Sequence, residues 1–340
     1  MRSTPTEVAC ASGTLAPAPE QRPVVLFAEP SGFSPRVLEL LANDVDVRLL
    51  TKGTRNALLA AVGEADVLWV RLGYRVDAEL LAAAPRLRAI VTPTTGLNHV
   101  DLEAARERGI AVLTLRGQTD FLRDVRATAE HTILLMLALL RHFPEAVRHV
   151  NDGGWNRDLF RGRELHGATV GLVGFGRLGR LVARTLLAFG SRVLASDPHV
   201  PPAAAPEGVA LVPLHELLRR ADIVSLHASL GDESRGFFGF PEIGAMRRGA
   251  LLVNTARGEL VDEYAVLAAL EGGRLGGAAL DVLADEDPRG MAHHPLVAYA
   301  REHPNLIVTP HVGGCTLESM EKTEVFMAET LVAHLGEEAR

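Results

Sequence analysis

Only two cysteines, Cys10 and Cys315, occur in the 340 residues, and they stand far apart. With no second pair there is neither a disulfide framework nor a thiolate zinc site, and such sparse cysteine suits a reducing compartment. Long apolar runs are missing too. The longest, "ILLMLALL" at 133–140, falls well short of the roughly 20 residues a membrane span needs and reads as a buried helix. The opening "MRSTPTEVACASGTLAPAPEQR" has no apolar block of the kind a signal peptide carries. Residues 1–22 are therefore expected to form a disordered tail, and the protein to be cytoplasmic. Positive charge is not in excess: a formal charge of -7 and a pI near 6.0 argue against a nucleic-acid partner. No metal is expected.

The remaining composition, 47% hydrophobic and 23% charged, is that of an ordinary globular protein. At roughly 150 residues per domain the length suggests two domains, and two domains imply a cleft. From residue 24 short β-branched runs alternate with amphipathic segments: "VVLFAEP", "SPRVLELLA", "VDVRLL", "TRNALLAAVG", "ADVLWVR" and onward to "IAVLTL". This is the pattern of consecutive βαβ units around a parallel sheet. A long helical stretch follows at 126–150, "RATAEHTILLMLALLRHFPEAVRHV", with a centre too continuously apolar for a surface helix. Alternation resumes with "TVGLVG" and runs to "NLIVTP", giving a second parallel sheet within 150–312. The last segment has one apolar face at helical spacing and is expected to pack back on a sheet.

"TVGLVGFGRLGRL" sets Gly174, Gly176 and Gly179 in the G-x-G-x-x-G spacing. An apolar strand enters this loop, a helix leaves it, and the next strand ends in Asp197, about 20 residues on. Gly174 permits the turn, Gly176 lets backbone approach a pyrophosphate at the helix amino end, and Gly179 lets helix and strand lie close. Asp197 would accept hydrogen bonds from ribose hydroxyls. A carboxylate there repels a 2′-phosphate, and the following "PHVPP" has no arginine to receive one, so NAD is the expected cofactor rather than NADP.

A nicotinamide cofactor exchanges hydride, so the protein must supply an acid/base group and a grip on the substrate. Three later strand ends offer these. "LLVNTARGELVD" presents Arg257, "GGAALDVLADEDP" presents Asp281, Asp285, Glu286 and Asp287, and "LIVTPHVGG" presents His311. Histidine cycles its proton near neutral pH, which suits His311 as proton donor to a ketone. A neighbouring carboxylate would favour its charged form and hold the ring, a role open to Glu286 with Asp287 as the alternative. Arg257 offers a planar fork for a substrate carboxylate. Taken singly, each residue could equally be a surface ion pair, a solvated loop acid or a cap.

Together, "GLVGFGRLG", "VNTARGELVDEYAVLAAL", "GAALDV" and "TPHVGGCT" resemble the D-isomer-specific 2-hydroxyacid dehydrogenase family, with the likeness running from residue 24 to the end. The resemblance implies an α/β fold of two doubly wound parallel-sheet domains. One is a flavodoxin-like substrate-binding domain at 23–117 completed by 315–340, and the other a Rossmann NAD-binding domain at 118–314. It also implies a homodimer built around the connecting helix 126–150. Arg257 would bind carboxylate and carbonyl, Glu286 would pair with His311, and Asp281 would hold the nicotinamide carboxamide. Arg177, Leu178, His227, Thr255, Ala256 and Gly313 are expected to line the same cofactor site. Two departures stand out: Asp287 separates Glu286 from Pro288, and "RGQTDFLRDVRATAEH" is longer than the usual loop, adding Arg123 and Arg126.

"TTGLNHVD" resembles the family's carboxylate-binding loop, so backbone at Thr95, Gly96 and Leu97 is expected at the substrate, with His99 read as a surface loop residue. Arg71 and Arg75 in "VLWVRLGYRV", joined by Arg123, would suit a substrate with a second anionic group such as a phosphate, phosphonate or carboxylate, similar to the phosphoglycerate dehydrogenase branch. Two other readings fit the fold. A formate- or phosphite-type dehydrogenase is one, although the formate enzymes pair the histidine with glutamine. An NAD-sensing corepressor-like binding protein is the other.

Overall fold

The computed structural model describes residues 22–286 and 290–338. The strands are short runs of Val, Leu, Ile and Ala, and the central ones are buried along their whole length, as parallel strands covered on both faces must be. Twelve of them form two sheets. β1 (Val24–Phe27), β2 (Asp46–Leu49), β3 (Val67–Trp69), β4 (Ala89–Thr92) and β5 (Ala111–Thr114) make a five-stranded parallel sheet in the order β2-β1-β3-β4-β5. That is the flavodoxin-like order. β2, at the edge, is the strand of this sheet with exposed residues.

The second sheet holds β6 (Thr169–Val173), β7 (Arg192–Ser196), β8 (Val209–Leu211), β9 (Ile223–Leu226), β10 (Ala250–Asn254), β11 (Leu275–Leu280) and β12 (Leu306–Val308). All are parallel, in the order β12-β11-β10-β9-β6-β7-β8. The chain winds outward from β6 through β7 and β8, then resumes at β9 on the other side. Between β6 and β9 lies the switch point where open α/β sheets bind ligands. This is the Rossmann arrangement.

The described residues separate into two compact units: 22–93, 97–114 and 327–338, and 94–96 with 115–286 and 290–326. In the first, Leu26, Leu68, Ile90, Leu58 and Leu80 form the core, and Arg88 binds Glu338 at 2.6 Å near the end of the last helix, Leu317–Glu338. In the second, one face of the sheet packs on Leu217, Ile243, Val266 and Leu296, and the other on Ile133, Met136, Val182 and Leu186. Helix starts are capped where the sequence offers an acid. Asp77, Asp101 and Asp262 accept from backbone amides of the first turns that follow them, satisfying donors a helix cannot.

The single helix expected over 126–150 is two, Ala127–Leu140 and Phe143–Asn151. Pro144 cannot donate within a helix and its ring clashes with the carbonyl a turn earlier. The chain therefore turns at His142, which takes a left-handed φ of 49°. Among the described residues no helix is long and apolar enough to cross a membrane, and no cluster of three or more His, Cys, Asp or Glu is arranged to hold a metal.

Candidate active site

Parallel pairing puts the carboxyl ends of β12, β11, β10, β9, β6 and β7 along one edge of the second unit's sheet. The residues just beyond those ends are, in that order, His311, Asp281, Thr255 to Arg257, His227, Gly174 and Asp197. Residues separated by more than a hundred positions are thus neighbours by topology alone.

The three loop glycines have three different surroundings. Gly174 has φ +95°, and a Cβ there would lie 2.6 Å from the backbone nitrogen of Ala228. A Cβ on Gly179 would lie 2.4 Å from the carbonyl of Gly174. A Cβ on Gly176 would meet no atom within 4 Å. Packing therefore demands glycine at 174 and 179. At 176 it leaves open space at the amino end of the helix Arg177–Ala188, where backbone N–H groups and the helix dipole favour an anion. Asp197 is locked beside the loop, accepting from Phe175 N at 2.8 Å and His199 N at 2.9 Å. A carboxylate has about four acceptor positions, so lone pairs remain for ribose hydroxyls. These groups fit a dinucleotide.

The rest of the expected cofactor set divides. Arg177 is held down by burial below the usual arginine range, and its Nη1 donates to the carbonyls of Leu122 (3.1 Å) and Val125 (2.8 Å). It ties the lengthened loop to the glycine helix. Leu178 packs on the core beneath that helix. The hydroxyls of Thr255 and Thr132 lie 2.8 Å apart, both residues buried, and Thr132 donates to the Thr128 carbonyl at 2.7 Å. The proton between the two hydroxyls therefore comes from Thr255, whose side chain faces the protein. Buried Ala256 uses its carbonyl to accept from Arg257. Burial pushes His227 from 6.5 to about 4, and its Nε2 lies 3.0 Å from Ser225 Oγ, so its ring is neutral at neutral pH.

Arg257 owes its position to buried Asn254, which donates to the Arg257 carbonyl (2.8 Å) and accepts from Ala256 N (3.0 Å), closing the turn after β10. The guanidinium lies against Gly96 so tightly that a Cβ there would fall 1.6 Å from Nη2. Thr94 Oγ1 donates to the Gly96 carbonyl at 2.8 Å, and Arg116 Nε donates to the Thr95 carbonyl at 3.4 Å. Burial lowers the pKa of Arg257, the carboxylates of Glu286 and Glu259 oppose the shift, and Arg116 adds to it. Arginine stays cationic even so. Leu97 is buried in the first unit, its carbonyl accepting from Val100 N.

His311 Nδ1 and Glu286 Oε2 are 2.7 Å apart. A carboxylate only accepts, so the hydrogen is on Nδ1 and Nε2 is left for another partner. Glu286 is steadied by its other oxygen, which accepts from Leu283 N at 3.2 Å. Asp287, the alternative partner, lies outside the described residues. His311 has φ +53°, a conformation that side chains with a Cβ rarely adopt and that costs about 1–3 kcal/mol unless the surroundings enforce it. Asp281 enforces it. Its backbone carbonyl accepts from His311 N (2.8 Å), Oδ1 from Thr309 Oγ1 (2.6 Å) and Val312 N (2.9 Å), and Oδ2 from Gly313 N (2.8 Å). Burial pushes this carboxyl up, but the hydrogen bonds from His131, Thr309, Val312 and Gly313 outweigh it and hold it below the usual range.

The basic residues read as substrate contacts are placed by other groups. Arg71 lies 4.2 Å over the Phe33 ring and donates to the Ser31 carbonyl, and Phe33 packs edge-on to Phe27 and Trp69. Arg75 is exposed in the same unit. Arg123 sits in an exposed ion pair with Asp120 (2.9 Å), and Arg126 with Asp124 (3.5 Å). His99 is not a surface residue: it is 7% exposed, with Nε2 3.2 Å from buried Thr92. Its carbonyl accepts from Val76 N, tucking the loop inward. Arg116, Asn254 and His131 also take part in this arrangement. Asn254 stands within "VNTARGELVD", and Arg116 and His131 bound "RGQTDFLRDVRATAEH", but no spacing there marks any of the three as functional.

Residues 133–313 match the family model for the D-isomer specific 2-hydroxyacid dehydrogenase, NAD binding domain. D-3-phosphoglycerate dehydrogenase of Mycobacterium bovis is 40% identical over 310 residues, covering 91% of this chain and 56% of that protein. The chain spans about half the length of such curated relatives. Hydroxypyruvate reductase of Thermotoga maritima is 33% identical, over 88% of this chain and 94% of its own. Among solved structures, D-lactate dehydrogenase of Aquifex aeolicus complexed with NAD and lactic acid superposes with a TM-score of 0.79 at 27% identity, covering 92% of this chain and 96% of that one.

Proposed function

Because this chain belongs to the D-isomer-specific 2-hydroxyacid dehydrogenase family, we propose that it interconverts a 2-oxo acid and a D-2-hydroxy acid with NAD as redox partner. The observation that carries the reading is the 2.7 Å pair of His311 and Glu286 on the sheet edge that also bears Arg257 and the glycine loop. Bound NADH supplies the hydride that reduces the ketone carbon. Arg257 binds the substrate carboxylate through its fork, and the Thr95–Gly96 backbone lies beside it. His311 gives its Nε2 proton to the carbonyl oxygen, while Glu286 balances the imidazolium charge and holds the ring. In the reverse direction neutral Nε2 takes the hydroxyl proton. Asp197 binds the ribose hydroxyls and selects NAD over NADP.

The proposal includes a substrate with a second anionic group. In its support, phosphoglycerate dehydrogenases stand among the relatives, and the Arg71 guanidinium is fixed on Phe33 rather than free to wander. It also includes a homodimer. Phe143, Val147 and Val150 on the helix Phe143–Asn151 are exposed, as are Leu134 and, at 90%, Trp155, an apolar face suited to a second copy. A cytoplasmic location accords with the free thiol of Cys315.

The test is NADH oxidation against glyoxylate, hydroxypyruvate, 2-oxoglutarate, phosphonopyruvate and 3-phosphohydroxypyruvate. Preference for a doubly anionic acid supports the Arg71 site, and turnover of small acids alone removes it. Lack of turnover with every acid, despite NADH binding, would overturn the enzymatic reading in favour of an NAD-binding protein.

A further inference from the structure

We propose that His131 is a positioning residue of this reaction, acting through Asp281 to hold the proton donor His311 in place. The inference rests on the dehydrogenase reading above and adds a residue to it. His131 lies in the helix Ala127–Leu140, most of whose residues are apolar and pack against the sheet. Its side chain is 13% exposed and that of Asp281 1%. Nε2 of His131 is 3.2 Å from Asp281 Oδ1 and 3.1 Å from Thr309 Oγ1. Thr309 spends its own hydroxyl proton on Asp281 Oδ1, so its oxygen is left to accept, and His131 is the donor to both.

The carboxylate of Asp281 thereby receives four donors: His131 Nε2, Thr309 Oγ1, Val312 N and Gly313 N. Two of them are the backbone amides immediately after His311, and the Asp281 carbonyl takes the amide of His311 itself. The left-handed backbone of His311 is thus set by one buried carboxylate residue, and His131 is the donor that reaches this residue from outside its segment. Without His131 a buried anion loses a hydrogen bond that nothing apolar can replace. The His311 segment then has a looser anchor, and the ring that must meet a carbonyl oxygen has more freedom than proton transfer tolerates.

The experiment compares wild type with His131→Phe, His131→Asn and His131→Gln. Phe removes the donor, Asn falls short of Asp281, and Gln returns a donor near the Nε2 position. With the best 2-oxo acid of the panel, kcat for Phe and Asn is expected to fall by at least about tenfold, with NADH Kd held within about threefold. Their solvent deuterium isotope effect on kcat should rise, because proton transfer becomes slower than the steps around it. Gln should recover most of the rate and the normal isotope effect. If the Phe variant does not fold, the contrast between Asn and Gln decides. The proposal is overturned if Phe or Asn keeps wild-type kcat, if Gln is no better than Asn, or if NADH binding fails in step with kcat. Absence of turnover in wild type would instead overturn the underlying enzymatic reading, and this proposal with it.

Discussion

Replacing Gly96 by alanine puts one methyl group against the Arg257 guanidinium that is to grip the substrate. The new Cβ would fall 1.6 Å from Arg257 Nη2, 2.4 Å from Cζ and 2.6 Å from Nε. Non-bonded heavy atoms need roughly 3.5 Å, so the guanidinium must retreat by ~2 Å. That guanidinium is the far end of a flexible side chain, while its backbone stays fastened by Asn254. The fold should therefore yield easily and the chemistry should not. A misplacement of about 1 Å at a reacting centre costs on the order of 10²-fold, so kcat/KM should fall by at least that, about 2.7 kcal/mol of transition-state binding. Steady-state kinetics would be run beside thermal melting and NADH titration. The expected result is a melting temperature within a few degrees of wild type, unchanged NADH affinity and a hundredfold loss of kcat/KM. A variant with wild-type kcat/KM would show that the Gly96 contact does not set the position Arg257 needs for catalysis.

Gly176→Ala makes the complementary case, since the added Cβ meets nothing within 4 Å: stability should hold while NADH Kd rises by about tenfold or more, as titration would show. Glu286→Gln keeps size and an acceptor oxygen but no charge to balance an imidazolium, so kcat should fall by about 10- to 100-fold with NADH binding intact. His227 is lowered by burial from 6.5 to about 4. Between those values the unfolded chain holds this proton and the folded chain does not, so stability falls as pH drops from 6.5 towards 4, by about 3 kcal/mol over the window. Urea unfolding at several pH values should show this component in wild type and not in His227→Gln.

Much of this was legible in the sequence because it is carried by local pattern. Buried parallel strands are written as continuous apolar runs, and a glycine loop between strand and helix announces the switch point of the second sheet. Once strand ends are placed, Arg257, Asp281 and His311 follow as neighbours. Residues whose role depends on distant contacts were not legible. His99 stands in a polar, glycine-containing loop that reads as surface, yet Thr92 and the Val76 backbone draw it inside. His131 looks like one polar interruption of an apolar helix until β11 and the Thr309 segment are set beside it. The helix break at His142 was foreshadowed by Pro144, but the apolar periodicity on both sides concealed it. Arg123 reads as an added charge in the sequence, and in the fold it pairs with the neighbouring Asp120 at the surface.

His311 gives the proton to a ketone and is not needed to hold the cofactor. His311→Ala, measured for NADH binding and for kcat with the preferred 2-oxo acid, tests this most directly. Wild-type NADH affinity is expected, with turnover reduced by about 10² to 10⁴. Turnover close to wild type would contradict it.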